Sequence, residues 1–145
     1  MTVAAAKSSP TVHDAVFSER LGTTVRGKWK LESLLGVGAM AAVYEASQPD
    51  GDPVALKILH ASFAHDKDAC ERFLREALVA GKITHPAAVR VLEDHTTDEG
   101  EPFLVMEILR GETVLDAWRK VGRQMAIIPA LQIAERVIDC LAFCH

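Results

Sequence analysis

The chain has 145 residues, of which 49% are hydrophobic and 25% are charged, and its formal net charge is −4. This size and balance predict one folded domain, and the mild acidity argues against a nucleic-acid partner. No apolar run reaches the length of a membrane span, so no membrane segment is expected. The few basic residues near the C-terminus are expected to form a solvated face; they are Arg110, Arg119, Lys120 and Arg123.

Residues 1–26 are rich in alanine, serine and threonine, and Pro10 breaks any regular pattern. This composition predicts a flexible leader without chemistry, with room for a short helix near residues 12–20. The leader lacks the layout of a secretory signal. The odd number of cysteines, three, fits a reducing compartment better than a disulfide scaffold, so a cytoplasmic location is expected.

Residues 28–60 predict three antiparallel strands, and residues 35–57 join a glycine-rich loop to a lysine across a hairpin. Gly36 and Gly38 omit the side chains that would keep backbone amides away from an anion, and Lys57 adds a positive charge. A dinucleotide-binding loop would be followed by a helix, but here a strand is predicted after the glycines. A Walker loop would continue with Gly-Lys-Ser/Thr, which does not follow here. The segment therefore indicates phosphate binding, with a plain hairpin turn and an ordinary strand lysine as the alternative.

Residues 66–83 carry apolar side chains at the spacing of one helical face, and Asp66 or Asp68 can cap this predicted helix. Glu76 falls on the border of the apolar stripe. It can point inward and hold Lys57 over a phosphate, or it can remain a solvated boundary residue. The apolar positions are Cys70, Phe73, Leu74, Ala77 and Leu78.

Two further strands are expected at residues 89–92 and 103–107, which makes a five-stranded sheet with one helix. Thr113 and Asp116 have the spacing of a capping box and predict a short helix through residue 121. Pro129 suits the first turn of a last helix.

The last helix carries an apolar stripe that would need a partner, so self-association or docking on another protein through residues 131–144 is expected. Cys140 and Cys144 lie one turn apart beside His145, but no second Cys/His cluster supplies more ligands. No metal site is therefore expected, and the scattered His13, His60, His65 and His95 are interpreted as satisfied or solvated. The stripe consists of Ile133, Ala134, Val137, Ile138, Leu141 and Ala142.

Taken together, these motifs resemble the N-terminal part of bacterial (Hanks-type) serine/threonine protein kinases over about residues 28–145. The run G-V-G-A-M-A-A-V-Y resembles the kinase phosphate loop, and V-A-L-K resembles the lysine motif of the third strand, with Lys57 as its lysine. The run R-F-L-R-E-A resembles the helix that presents the pairing glutamate, here Glu76. A His85-Pro86 pair follows that helix, as is common in the family, and P-F-L-V-M-E-I-L-R-G resembles the last strand and hinge of the small lobe.

The resemblance implies an α+β fold with a five-stranded antiparallel small lobe and one helix, followed by two large-lobe helices. It divides the chain into a leader (1–26), a small lobe with hinge (27–110) and the start of the large lobe (111–145). ATP is the implied cofactor, with magnesium beside it in a complete kinase, and Lys57 and Glu76 would form the ion pair that positions ATP. The implied nucleotide-binding residues are Leu35, Gly36, Val37, Gly38, Ala39, Val43, Ala55, Lys57, Met106, Glu107 and Leu109.

Within this set, amides around Gly36, Gly38 and Ala39 would cover the phosphates, Val43 and Ala55 would sandwich the adenine, and backbone groups at Glu107 and Leu109 would meet the base edge. Met106 would take the gatekeeper position. Ala41 replaces the usual third glycine of the loop, which implies a stiffer loop and a weakened site.

A protein kinase also needs an H-R-D-x-x-x-x-N loop for its catalytic aspartate and a D-F-G aspartate for magnesium. Neither motif occurs in these 145 residues. The resemblance thus implies the ATP-binding part of an enzyme that transfers phosphoryl groups to protein Ser/Thr, and the 145 residues alone are expected to be inactive. The alternative is a non-catalytic nucleotide-binding or regulatory fragment that docks on a partner, or a structural remnant.

Overall fold

The computed structural model describes residues 12–144, which form one antiparallel sheet with helices beside it. Its sheet has the strand order β1-β2-β3-β4-β6-β5. No helix in this described range is both long and apolar enough to cross a membrane. The elements in chain order are helix α1 (Val12–Ser18), strands β1 (Thr24–Val25), β2 (Trp29–Val37), β3 (Ala41–Ser47) and β4 (Val54–Leu59), a 3₁₀-helix (Ala61–Phe63), helix α2 (Lys67–Lys82), strands β5 (Val91–Thr96) and β6 (Pro102–Glu107), and helices α3 (Val114–Lys120) and α4 (Ile127–Phe143).

The predicted α+β class is confirmed, but the sheet has six strands where the sequence predicts five. The added strand is β1, whose two residues pair with Trp29 and Lys30 of β2. A two-residue strand is too short for the alternation of apolar and polar residues to reveal it. Strand β5 also begins two residues later than predicted and extends to Thr96.

Alternate residues of each strand point to opposite sides, so the sheet buries apolar side chains on two faces. We call the face that packs against α2 the helix face and the opposite one the outer face. The buried residues of the helix-face cluster are Ala41, Leu59, Phe73, Ala77 and Leu104. The buried residues of the outer-face cluster are Val25, Trp29, Leu31, Ala42, Tyr44, Ala46, Val54, Leu56, Ile58, Phe103 and Val105.

Residues 12–26, which the sequence assigns to a flexible leader, form α1, a turn and β1. Phe17 packs against the outer-face cluster, and the Tyr44 hydroxyl donates a hydrogen bond to the Phe17 carbonyl at 3.1 Å. Arg20 forms a 2.8 Å ion pair with Glu101. Ordered packing therefore starts before the predicted boundary at residue 27, while the part of the leader prediction on residues 1–11 lies outside the described residues.

Helix α2 begins as its sequence predicts, because the Asp66 carboxylate accepts the Ala69 amide at 3.1 Å and caps the first turn. Phe73 and Ala77 are buried against the sheet. Leu78, which belongs to the predicted apolar stripe, is exposed. The fully buried positions are Ala69, Phe73 and Ala77, which lie four residues apart, while the predicted Cys70 and Leu74 are partly buried and also pack against the helix-face cluster.

The two C-terminal helices also start at their predicted signals. The Thr113 side chain accepts the Asp116 amide at 3.0 Å, and Pro129 lies in the first turn of α4. No described residue of α4 is buried. A 3.1 Å contact joins His85 Nε2 to Asp139 Oδ2, which ties α4 to the segment after α2.

We predict an alkaline loss of stability that depends on Tyr44, the only tyrosine of the chain. Burial raises its pKa to about 12, with smaller effects from Arg20 and Glu101. An unfolded tyrosine ionises near pH 10. The contribution of the un-ionised Tyr44 to the free energy of unfolding is therefore complete below about pH 10 and is lost as the pH rises towards 12. Phenolate absorbance measured with and without urea checks this, and a folded midpoint near 10 would contradict it.

Candidate functional site

The strand register places several of the candidate residues on the helix face. Gly36 lies opposite Val43, and Val43 in turn lies opposite Lys57. Ala55 lies opposite Met106 on the next pair of strands. Because directly opposed residues of antiparallel strands share a face, these five positions form one continuous surface. Met106 also packs against the helix-face cluster.

Lys57 and Glu76 meet on this surface, where Lys57 Nζ lies 3.5 Å from Glu76 Oε2. The ammonium group also lies 5.4 Å from the centroid of the Phe73 ring. The Glu76 side chain is 71% exposed, so the pair adds little to the free energy of unfolding. The pair instead restricts the position of the Lys57 ammonium group, and an anion-binding site needs a cation in a fixed position.

The glycine-rich turn connects β2 to β3 at residues 38–40, and Gly38 and Ala39 are exposed. The Gly38 amide donates to the Ala41 carbonyl at 2.8 Å. A Cβ added at Gly38 would lie 3.4 Å from that oxygen, an ordinary van der Waals contact. Since the turn has room for a side chain, the fold alone does not require glycine here, which favours a functional reason for it.

Ala41, the departure from the usual loop pattern, starts β3 opposite Leu59 and is buried in the helix-face cluster. Its methyl group therefore fills part of the core that a glycine would leave empty. This is a structural use for the residue, independent of any bound ligand.

Two of the candidate residues of β2, Leu35 and Val37, are not placed on the helix-face surface by the strand register. The side chain of Val37 packs against the outer-face cluster, so only its backbone can meet a ligand on the helix face. Leu35 falls in an irregularity of the register between Leu34 and Gly36 and is half-buried.

At the end of β6, the Glu107 carboxylate accepts the Arg90 amide at 2.8 Å. This bond uses the Glu107 side chain within the fold. Leu109 lies beyond the strand with an exposed side chain. Any specific contact with a ligand here would therefore come from backbone groups.

A polar network that was not predicted from the sequence lies on the same face as Val43. Arg110 Nη2 donates to Glu45 Oε1 at 3.0 Å, and Ser33 Oγ donates to Glu45 Oε2 at 3.1 Å. Arg110 is exposed, as its expected place on a solvated face requires, and it also reaches across to β3. The alternation of β3 could have placed Glu45 beside Val43, whereas the distant partner Arg110 carries no local signal.

Within residues 12–144 no group of three or more His, Cys, Asp or Glu side chains could hold a metal ion. Partial burial, followed by the neighbouring Cys144, raises the pKa of Cys140.

Comparisons with known proteins agree on one family. Residues 29–145 match the protein kinase domain family. The chain is 32% identical over 133 residues to the serine/threonine-protein kinase PknA of Mycobacterium tuberculosis, covering 88% of this chain and 31% of that protein. It is 30% identical over 130 residues to the kinase pkn3 of Myxococcus xanthus, covering 88% of this chain and 23% of that protein.

Solved structures give the same result. The crystal structure of the M. tuberculosis PknI kinase domain matches with a TM-score of 0.69 and 27% identity, over 86% of this chain and 51% of that domain. The chain thus spans about half of a solved kinase domain and less than a third of the curated relatives described above.

Proposed function

This chain belongs to the protein kinase family, and from that premise we propose that it is the ATP-binding part of a serine/threonine protein kinase. The observation that carries the proposal is the 3.5 Å pairing of Lys57 with Glu76 on the face shared with Gly36 and Val43. A positioned cation next to a glycine-rich turn suits a polyphosphate.

ATP would lie along the helix face with its phosphates under the turn at residues 38–40. The phosphates would lie against the amides of Gly36, Gly38 and Ala39, since none of these residues has a side chain larger than a methyl group. The Gly38 amide would exchange its bond with the Ala41 carbonyl for one with a phosphate oxygen. Val43 and Ala55 would contact the two sides of the adenine. Their neighbouring positions on β3 and β4 support this, because Val43 lies opposite Lys57, two residues from Ala55.

The reaction proposed for the whole protein is transfer of the γ-phosphoryl group of ATP to a serine or threonine hydroxyl. The chain's own contribution is to bind ATP and orient its phosphates through Lys57 and Glu76. Magnesium is expected to accompany ATP and to neutralise charge on its phosphates. The present residues include no H-R-D or D-F-G motif, so no base or magnesium ligand is assigned among them.

We predict that a polypeptide of residues 1–145 transfers no phosphoryl group, because none of its residues can serve as the catalytic aspartate. Incubation with magnesium and γ-labelled ATP tests this prediction, and robust autophosphorylation would contradict it.

The intact mass of the protein from its own cells, with the coding DNA read past His145, tests the enzyme proposal. H-R-D and D-F-G residues there would support an enzyme, whereas a mass of 15.8 kDa would leave only binding functions.

The second candidate function is docking through α4, and the exposure of this helix favours it. Ile128, Leu131, Ile138 and Leu141 are all more than half exposed, and no described α4 residue is buried. Leaving several large apolar side chains in water forfeits several kcal/mol at about 25 cal/mol per Å². Residues 131–144 would therefore contact a second copy or another protein.

Self-association of residues 1–145 is expected to show as a mass that rises with concentration in light scattering. Ile138→Asp should lower that rise because it places a charge within the exposed apolar stripe. Glu135→Asp on the same helix is the matched control and should leave the mass unchanged. A strictly monomeric species at high concentration would count against self-association.

A cytoplasmic location is proposed as well. It is supported by the use of ATP and by the three cysteines at positions 70, 140 and 144, which are unpaired in the described structure.

A further inference from the structure

We propose that Phe17 and His60 are positioning residues. They hold the glycine-rich turn and α2 in place, and in this way they position the Lys57–Glu76 pair. The inference rests on the proposed nucleotide site and adds a part of the chain that the site itself does not include. His60 directly follows β4 and precedes the 3₁₀-helix that leads to α2.

His60 touches three parts of the fold at once. Its ring lies 4.6 Å from the Phe17 ring of α1 and 6.5 Å from the Phe63 ring of the 3₁₀-helix, measured between centroids. Its backbone amide donates to the Met40 carbonyl at 2.8 Å, at the end of the glycine-rich turn. A displacement of His60 therefore acts on the turn and on the approach to α2 together.

The connection continues from the 3₁₀-helix into α2. The Cys70 thiol donates to the carbonyls of Phe63 and Ala64 at 3.5 and 3.4 Å. Phe63 also packs against the helix-face cluster, to which Phe73 belongs. Cys70 and Glu76 belong to the same continuous helix, so a shift at its first turns moves the Glu76 carboxylate.

Buried polar contacts hold the N-terminal segment in place on the outer face. Tyr44 is almost fully buried, and its hydroxyl has the Phe17 carbonyl as acceptor at 3.1 Å. The Glu101 side chain is 6% exposed, pairs with Arg20 at 2.8 Å, and accepts the Thr97 hydroxyl at 3.2 Å. Removing one partner of such buried contacts leaves an unsatisfied polar group. The N-terminal segment therefore has one strongly preferred position on the outer face.

The site is sensitive to small movements, because a misplacement of about 1 Å is enough to impair a positioned group. The Lys57–Glu76 distance of 3.5 Å is already near the outer limit of an ion pair. Without the Phe17 ring, His60 and the 3₁₀-helix lose their support on the outer side. We expect the Lys57–Glu76 pair to open and ATP binding to weaken as a result.

A double-mutant cycle on ATP affinity tests this inference, with the 145-residue chain titrated in a calorimeter. Phe17→Ala should weaken ATP binding roughly three- to thirtyfold when Glu76 is present. In the Glu76→Gln background the same change should have little further effect, because the pair through which Phe17 acts is already broken. If Phe17→Ala does not fold, Phe17→Leu, which keeps the apolar volume but not the ring stack, replaces it.

Val105→Ala is the matched control, because Val105 is buried in the same outer-face cluster but makes no ring contact with His60. It should lower the melting temperature without changing ATP affinity. Amide hydrogen exchange adds a readout without nucleotide: Phe17→Ala should speed exchange in residues 38–41 and in α2, and Val105→Ala should not single out these segments.

Equal weakening by Phe17→Ala in both Glu76 backgrounds, or ATP binding that Phe17→Ala does not change, would overturn the positioning role. Failure of the folded, unmodified chain to bind ATP would instead overturn the nucleotide site, and this inference with it.

Discussion

Replacing Lys57 by methionine is expected to weaken ATP binding by roughly ten- to a hundredfold, because charged hydrogen bonds contribute about 1.5–3 kcal/mol. Methionine keeps a flexible apolar stem but removes the ammonium group that lies 3.5 Å from Glu76. The fold should persist, since the partner Glu76 is 71% exposed and the pair adds little to stability. Calorimetric titration with ATP measures the affinity, and urea unfolding verifies the fold.

Lys82→Met is the matched control, because it removes the same charge from the last turn of α2, away from the helix-face surface. It should leave ATP affinity within about a factor of two, the size of a long-range charge effect in salt. An unchanged affinity for Lys57→Met would mean that the proposed nucleotide site is vestigial. Equal losses in the two variants would mean that only net charge matters.

Phe103→Ala is expected to lower the free energy of unfolding by about 3–5 kcal/mol, which is a large part of the stability of a small domain. Phe103 is fully buried in the outer-face cluster. Its ring lies 5.4 Å from Trp29 in an edge-to-face arrangement and 5.7 Å from His95. Both the transfer of the ring from water and these contacts would be lost.

Urea unfolding followed by tryptophan fluorescence measures this change. Phe143→Ala is the control, because Phe143 lies on α4 with 54% of its surface exposed and should change stability by only about 0.5–1 kcal/mol. Similar losses for the two phenylalanines would contradict the burial that the fold assigns to Phe103.

Elements whose signals are local could be predicted from the sequence. The helical spacing of Phe73 and Ala77 and the cap at Asp66 identified α2, and Thr113 marked the start of α3. These signals work because a capping bond joins residues three apart and a helical face repeats every three or four residues. The turns between β2, β3 and β4 were equally visible.

Features that depend on distant partners could not be predicted. The two residues of β1 pair only because β2 lies beside them. A short helix near residues 12–20 was expected, but its packing depends on the contact of Phe17 with Tyr44 and on the Arg20–Glu101 pair. Arg110 and Glu45 are 65 residues apart, so no local pattern links them. Such contacts are set by tertiary packing, which overrides local propensity.

The candidate site divides in the same way. Residue types and spacing indicated a phosphate-binding turn and a lysine, and the family resemblance supplied the remaining positions. The strand register then separated Gly36 and Val43 on the helix face from Val37, whose side chain packs on the outer face. The position of His60 between Phe17 and Phe63 could not be predicted from the sequence, because these partners come from separate elements.

The most direct test of the nucleotide site is a titration of the ¹⁵N-labelled 145-residue chain with ATP, followed amide by amide in two-dimensional NMR spectra. Saturable shifts are predicted at Gly36, Gly38, Ala39, Lys57 and Leu109, with no comparable shifts in residues 131–144. Saturable shifts confined to other surfaces, or a spectrum that ATP leaves unchanged, would contradict the account.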